Sequence, residues 1–135
     1  MENKVWVNGT FDVLHNGHFQ LLNLAATHGR LIVGIDSDRR VRELKGDSRP
    51  YHNQFERSYN LMSIRGVYNV IVFDSDDELK ELLKKNKPDY LVIGSDYRDK
   101  KIIGGEYANE IIYFDRIDHS TTKIMETWDT NNNQK

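Results

Sequence analysis

The fold of this chain is decided by the stretch Val7-Asn8-Gly9-Thr10-Phe11-Asp12-Val13-Leu14-His15-Asn16-Gly17-His18. This stretch joins a short apolar run, 5–7, to a segment that predicts a helix over 17–27. The expected buried face of that helix consists of Phe19, Leu21, Leu22, Leu24 and Ala25. A strand, a glycine-containing loop and a helix start form the junction at which α/β sheets bind anions, because free N–H groups and the helix dipole point outward there. We therefore predict a phosphate site at this junction.

Two histidines strengthen that interpretation. His15 and His18 lie three residues apart, so they share a face if both belong to the first helical turn. Gly17 between them has no side chain that would keep a phosphate away from the backbone. A single histidine would be explained by capping or packing. A zinc site would need more ligands, but the chain has no Cys and no third ligand at metal spacing nearby. The pair favours phosphate chemistry, and we expect no metal site built by the protein alone.

Length and charge narrow the class of protein. With 135 residues, one domain is expected over 1–129, followed by a polar, Asn-rich and disordered tail over 130–135. The 19 basic and 21 acidic residues give a net charge of −2, so nothing favours nucleic-acid binding. No run is apolar enough to span a bilayer, and no signal peptide is expected. The absence of Cys fits a reducing cytoplasm.

Apolar runs alternate with amphipathic segments along the whole chain. Strands are predicted at 5–7, 31–35, 70–73, 90–94 and 111–114, and helices at 17–27, around 41–44, at 53–64, from 74–77 to about 85 and from 120 to about 128. This alternation predicts an α/β fold, a single Rossmann-like doubly wound domain with a five-stranded parallel sheet. The fingerprint G-x-G-x-x-G does not follow the first strand, which argues against a nicotinamide dehydrogenase.

The segment from Lys45 to Pro50 is expected to form a mobile surface loop, because it is polar and contains Gly and Pro. Its two cations, Lys45 and Arg49, follow a predicted strand's carboxyl end, where α/β proteins bind ligands. The sequence is compatible with two interpretations of this segment, a solvated surface loop and a loop that binds ligand.

The helix predicted at 53–64 contains apolar side chains that we expect in the core. These candidate core residues are Phe55, Tyr59, Leu61, Met62 and Ile64. Residue propensity places Arg57 on the wet surface of this helix, paired with a local carboxylate.

Three hydroxyl residues, Ser120-Thr121-Thr122, precede the last predicted helix. They are suited to capping that helix, and the same hydroxyl and N–H groups are suited to binding a phosphate.

The combination of Gly9-Thr10-Phe11-Asp12 with His15-Asn16-Gly17-His18 resembles the signature of the cytidylyltransferase-like nucleotidyltransferases. These are small Rossmann-like enzymes that join a nucleoside triphosphate to a phosphorylated alcohol or sugar and release pyrophosphate. The resemblance extends to about Trp128. The segments 34–38, 44–50, 56–57 and 94–104 are similar to the adenylyltransferase domain of bacterial ADP-heptose synthases.

Glycerol-3-phosphate cytidylyltransferases are the next most similar branch of that family. They usually have a W-E-Q-K stretch after the third strand, where this chain has Asp76-Asp77-Glu78-Leu79. In both branches a Gly usually stands two residues before the Ser-Thr-Thr motif, whereas this chain has Asp118. The resemblance therefore favours ATP and a sugar 1-phosphate such as heptose 1-phosphate, with CTP and glycerol 3-phosphate as the alternative.

The resemblance also implies roles for individual residues. Catalytic roles fall to His15, His18, Lys45 and Arg57. Nucleotide or phosphate contacts fall to Gly9, Thr10, Phe11, Gly17, Arg49, Gly94, Asp96, Ser120, Thr121 and Thr122. The acceptor side is expected to include Asp12 and Asp36. Mg²⁺ would arrive with the triphosphate, without a dedicated protein site.

The expected partners are a nucleoside triphosphate and a phosphorylated sugar or polyol, with no nucleic acid and no membrane, in a cytoplasmic homodimer. Two alternatives come from other classes. A non-catalytic nucleotide-binding module would not require the paired histidines. A fragment of a class I aminoacyl-tRNA synthetase would be expected to show a basic excess, which the sequence lacks.

Overall fold

The computed structural model describes residues 2–95 and 100–115 of the chain. Its strands are β1 (Lys4–Gly9), β2 (Arg30–Asp36), β3 (Val67–Phe73), β4 (Tyr90–Gly94) and β5 (Glu110–Phe114). Its α-helices are α1 (Asn16–Ala26), α2 (Asp38–Lys45), α3 (Gln54–Met62) and α4 (Asp76–Asn86), and a 3₁₀ turn covers Gly105–Tyr107. The predicted last helix and the tail lie outside the described residues.

All five strands are parallel and form one sheet in the order β3-β2-β1-β4-β5. This confirms the predicted doubly wound α/β fold. The chain builds outward from β1 to β2 and β3, then α4 returns it to β4 on the other side of β1. The pairing of β1 with β4 joins Val5 to Tyr90 and Trp6 to Leu91. Beyond these pairs the sheet opens at its carboxyl edge, where parallel α/β sheets bind their ligands.

Both faces of the sheet are covered, because successive residues of a strand point to opposite faces. Val5 and Val7 of β1 belong to the same cluster as Leu22 of α1 and Leu61 of α3. Trp6, between the two valines, belongs to the other cluster. That second cluster contains Ile32, Phe73, Leu79, Leu83 and Leu91, so it is closed by α4. The paired histidines and the side chain of Trp6 are thus associated with opposite faces of the sheet.

Helix α3 turns a different face to the core than the sequence predicted. Leu61 is buried and Ile64 packs against the core, but Phe55 and Tyr59 are 78% and 74% exposed and Met62 is 47% exposed. The prediction was wrong because the helix has two stripes at helical spacing. The buried stripe contains Arg57 instead of an aromatic ring, and this charged residue directs the apolar stripe to solvent.

One smaller expectation also fails. Phe19 of α1 is 39% exposed, although Leu22 and Ala25 of the same predicted face are buried. In the described part of the chain, no helix combines the length and the hydropathy needed to cross a bilayer.

Candidate active site

The loop between β1 and α1 is shaped by Phe11. Its backbone is in the left-handed region, with φ of 50°, a conformation that costs a non-glycine residue about 1–2 kcal/mol. Its ring is buried, and burial of an aromatic ring offsets that cost. The ring lies over Gly9, where a Cβ atom would be 3.1 Å from it, and it contacts His18 edge-on with 5.2 Å between centroids. Gly9 and Phe11 therefore set the entry of the chain into α1.

His15 and His18 form a reciprocal cap at the start of α1. The backbone N–H of Gly17 donates to Nδ1 of His15 over 3.1 Å, and the N–H of His15 donates to Nδ1 of His18 over 3.2 Å. The two rings stack with 3.8 Å between centroids. Because each Nδ1 accepts a hydrogen bond, the neutral rings carry their protons on Nε2. The cap thus fixes the tautomer that makes Nε2 of each ring a donor.

The backbone donors at this helix start are less available than the sequence suggested. The N–H of Gly17 is bound by His15 Nδ1, and the N–H of His18 donates to the carbonyl of His15 over 2.9 Å. The expectation of open backbone N–H groups is therefore wrong at Gly17 and His18. His15 is an exposed residue, so its imidazole can offer a hydrogen-bond donor to solvent where these backbone N–H groups cannot.

Asp12 connects this loop to the chain before α3. Its Oδ2 accepts the N–H of Tyr51 over 2.8 Å and its Oδ1 accepts the N–H of His52 over 2.9 Å. Burial acts to raise the pKa of Asp12, but the bonds from His52 and Tyr51 and the charge of Arg57 outweigh it, so the net pKa is lowered. The sequence placed Asp12 on the acceptor side, whereas in the structure both of its oxygens are bound to the protein.

Asp36, also expected on the acceptor side, is 8% exposed. Its Oδ1 accepts from Nε of Arg40 over 2.7 Å, and its Oδ2 accepts from the hydroxyl of Thr10 over 3.4 Å. Arg40 also pairs with Asp76 at the start of α4. Asp36 therefore orients Thr10, and its charge is balanced within the protein.

Arg57 is fully buried, so its expected surface location is wrong. Its Nε donates to the carbonyl of His52 over 3.0 Å, and its Nη1 donates to the carbonyls of Thr10 and Asp36 over 3.0 and 2.8 Å. Its Nη2 donates to Oδ1 of Asp38 over 2.9 Å. One guanidinium thus joins the β1–α1 loop, the end of β2, the start of α2 and the segment before α3. The geometry is that of a positioning residue.

Lys45 and Arg49 are exposed, as the loop prediction requires. Lys45 ends α2, and the guanidinium of Arg49 lies 4.2 Å from the ring centroid of Tyr51. The N–H of Tyr51 in turn binds Asp12, which places this cationic segment beside the β1–α1 loop. Gly94 ends β4 at the same edge of the sheet. Asp96, Ser120, Thr121 and Thr122 lie outside the described residues.

Sequence reasoning missed Asn8, which is exposed at the carboxyl end of the central strand. Its amide oxygen accepts the indole N–H of the buried Trp6 over 3.1 Å. The available signal was the spacing: residues two apart on a strand share a face, and a polar residue follows the apolar run at that spacing.

Comparison with known proteins agrees with this architecture. The profile described as cytidylyltransferase-like matches residues 6–127. The chain therefore belongs to the cytidylyltransferase-like family, and its domain is nucleotidyltransferase-like.

Among its relatives is the bifunctional protein HldE of Campylobacter fetus, which is 46% identical over 123 residues. The HldE protein of Nitratiruptor is 45% identical over 124 residues. Each match covers 90% of this chain and 27% of the relative. The chain thus spans about a quarter of the length of these curated relatives.

Solved structures share the fold at low sequence identity. A lipopolysaccharide core biosynthesis protein from Thermoplasma volcanium superposes with a TM-score of 0.70 at 21% identity, covering 87% of this chain and 100% of that one. Pantothenate synthetase from Thermus thermophilus gives 0.60 at 15% identity, covering 87% of this chain and 57% of that one.

Proposed function

We propose that the chain is a nucleotidyltransferase that transfers AMP from ATP to a sugar 1-phosphate, such as heptose 1-phosphate, and releases pyrophosphate. The observation that carries the proposal is the stacked pair His15 and His18 at the strand-to-helix junction, with both tautomers fixed as Nε2 donors. The similarity to HldE proteins over 90% of the chain supports the heptose branch and, with it, ATP.

The reaction is an in-line displacement at the α-phosphorus. An oxygen of the sugar phosphate forms the new bond to phosphorus, the bond to the bridging oxygen of the β-phosphate breaks, and pyrophosphate leaves with that electron pair. A phosphate is already an anionic nucleophile at neutral pH, so no general base is required. The barrier is lowered by positioning and by stabilising the negative charge that develops on the phosphoryl oxygens.

In the proposed reaction, different site residues position the phosphates and stabilise their negative charge. His15 and His18 donate hydrogen bonds to phosphate oxygens, and loss of one such donor typically costs about 3–4 kcal/mol of transition-state stabilisation. The hydroxyl of Thr10 is oriented by Asp36. Lys45 and Arg49 supply positive charge from the exposed segment, and the planar fork of an arginine can bind two phosphate oxygens at once. Arg57 acts on the reaction through Thr10, because its guanidinium is bound to protein oxygens.

Magnesium fits this scheme as a companion of the triphosphate. Within 2–95 and 100–115, no three His, Asp or Glu side chains converge on a metal position. The ion would be bound mainly by phosphate oxygens and would neutralise part of their charge. None of the residues proposed around the phosphates is an anion that would compete with the phosphate oxygens for the magnesium ion; these residues are His15, His18, Lys45 and Arg49.

The test is a pyrophosphate-release screen of four nucleoside triphosphates against sugar and polyol phosphates. We expect ATP with heptose 1-phosphate to give the highest kcat/KM. A higher kcat/KM for CTP with glycerol 3-phosphate would instead make the protein a glycerol-3-phosphate cytidylyltransferase. Nucleotide binding without pyrophosphate release from any pair would identify a binding module. The homodimer and the cytoplasmic location stay predictions, and sedimentation analysis would test the first.

A further inference from the structure

Asn8 occupies a distinctive place in the sheet. The three residues before it on β1, 5–7, are buried, whereas Asn8 is exposed. Its Cα partner on β2 is Gly34, which has no side chain. On the other side, the pairing of β1 with β4 ends at Trp6 and Leu91. Asn8 therefore borders the opening between β1 and β4 at the carboxyl edge of the sheet.

The orientation of the Asn8 amide is fixed by Trp6. The indole N–H can only donate, so its 3.1 Å contact must be with Oδ1 of Asn8, and the amide nitrogen points elsewhere. Trp6 is fully buried and cannot change its orientation cheaply. Gly34 makes room for the ring, since a Cβ atom there would lie 2.6 Å from Cζ2 of Trp6.

The amide nitrogen presents two N–H donors to the opening. Among the residues that the structure describes, none accepts a hydrogen bond from this nitrogen. The carboxylates of Asp12 and Asp36, which the sequence assigned to the acceptor, are bound to protein donors. A neutral donor also suits an anionic ligand better than a carboxylate does, because it adds no like charge.

The face of the sheet indicates which substrate this donor meets. Trp6 and Asn8 point to the face closed by α4, whereas α1, which carries the paired histidines, packs on the opposite face. In-line displacement requires the nucleophile and the leaving pyrophosphate on opposite sides of the α-phosphorus. If the histidines hold the leaving-group end of the triphosphate on the side of α1, the attacking phosphate approaches from the side of Asn8.

We propose that Asn8 is a binding residue for the phosphorylated acceptor, to which its amide nitrogen donates hydrogen bonds through a phosphate or hydroxyl oxygen. The identity of the ligand rests on the proposed function. Trp6 and Gly34 are the residues that position the amide.

The test compares the wild-type protein with Asn8→Asp and with the control Asn23→Asp. The aspartate at position 8 keeps an oxygen for the indole N–H but replaces the two donors by a second oxygen. We expect its KM for heptose 1-phosphate to rise about tenfold or more, as loss of a hydrogen bond to a charged group implies, with the KM for ATP within about twofold. Asn23 is exposed on α1, so Asn23→Asp makes the same charge change away from the opening and should leave both KM values unchanged.

A second measurement does not depend on the folding of any variant. The side-chain amide signal of Asn8 in ¹⁵N-labelled wild-type protein should shift on titration with heptose 1-phosphate. A shift in a protein that releases no pyrophosphate would support the role of Asn8 and overturn the proposed reaction. If the wild-type protein is active but shows no shift, and Asn8→Asp leaves the KM for heptose 1-phosphate unchanged, only the role of Asn8 is overturned. A rise in Asn8→Asp that is confined to the KM for ATP would also overturn that role alone. If the protein shows neither turnover nor a shift of the Asn8 signal, both the proposed reaction and the role of Asn8 are overturned.

Discussion

Replacing Arg57 by leucine tests the buried connections around the candidate site. The guanidinium is fully buried and donates to three backbone carbonyls and to Asp38. A buried acceptor left without a partner costs about 1–3 kcal/mol. The Asp38 side chain is 26% exposed, so water can replace its lost partner. We therefore assign the cost to the carbonyls and expect Arg57→Leu to lower the free energy of unfolding by about 3–5 kcal/mol.

The assay is urea unfolding followed by circular dichroism, with Arg30→Leu as the matched control. Arg30 pairs with Glu2 at 3.1 Å, but the two side chains are 45% and 69% exposed, and such pairs contribute about 0–1 kcal/mol. The two variants thus make the same chemical change in a buried and in a solvated setting. A loss below about 1 kcal/mol for Arg57→Leu, with an unchanged dependence on urea, would refute the reasoning.

The remaining predictions concern the loop and its neighbours. His15→Ala and His18→Ala should each lower kcat about a hundredfold or more in a pyrophosphate-release assay while the protein stays folded; near-normal rates in both would remove the nucleotidyltransferase proposal. Lys45→Ala should impair turnover and change thermal stability by less than about 0.5 kcal/mol. Hydrogen exchange of the backbone amides over 46–52 should slow when ATP and acceptor bind, because the ligands order this loop; equal protection of these amides with and without the ligands would contradict that ordering. The lowered pKa of Asp12 means that its stabilisation is present above the ordinary value of 3.8 and is lost as pH falls through the folded-state pKa. The stability difference between wild type and Asp12→Asn should therefore shrink on acidification below that value; a constant difference would contradict this.

The sheet could be predicted from the sequence because each strand is an apolar run, and burial on both faces requires such runs. The start of α1 could be predicted as well, since a glycine-containing loop preceded a helical pattern. The boundaries were less certain. For example, β3 begins at Val67, although its apolar run begins at Val70, because Tyr68 and Asn69 are exposed.

The partners of the charged residues could not be predicted, because they depend on distant segments. Arg57 binds the carbonyl of Thr10, 47 residues away, and that of Asp36, 21 residues away. A backbone carbonyl carries no signal in the sequence, so an arginine on a helix was expected at the surface. The donors that bind Asp12 could not be predicted for the same reason, since those at positions 51 and 52 are also backbone groups.

These connections would let the proposed reaction, which needs no general base, gain rate from geometry. The β1–α1 loop is held by Arg57 at the carbonyl of Thr10, by Asp12 at two N–H groups, and by the packing of Phe11 on Gly9. Groups fixed in this way need little reorganisation when charge develops on the phosphates. The cations Lys45 and Arg49 are exposed and have fewer such connections. In the proposed reaction, a rigid loop at the α-phosphate and an exposed source of positive charge would have separable effects: variants of the loop connections should lower kcat, whereas variants of the cations should also change KM.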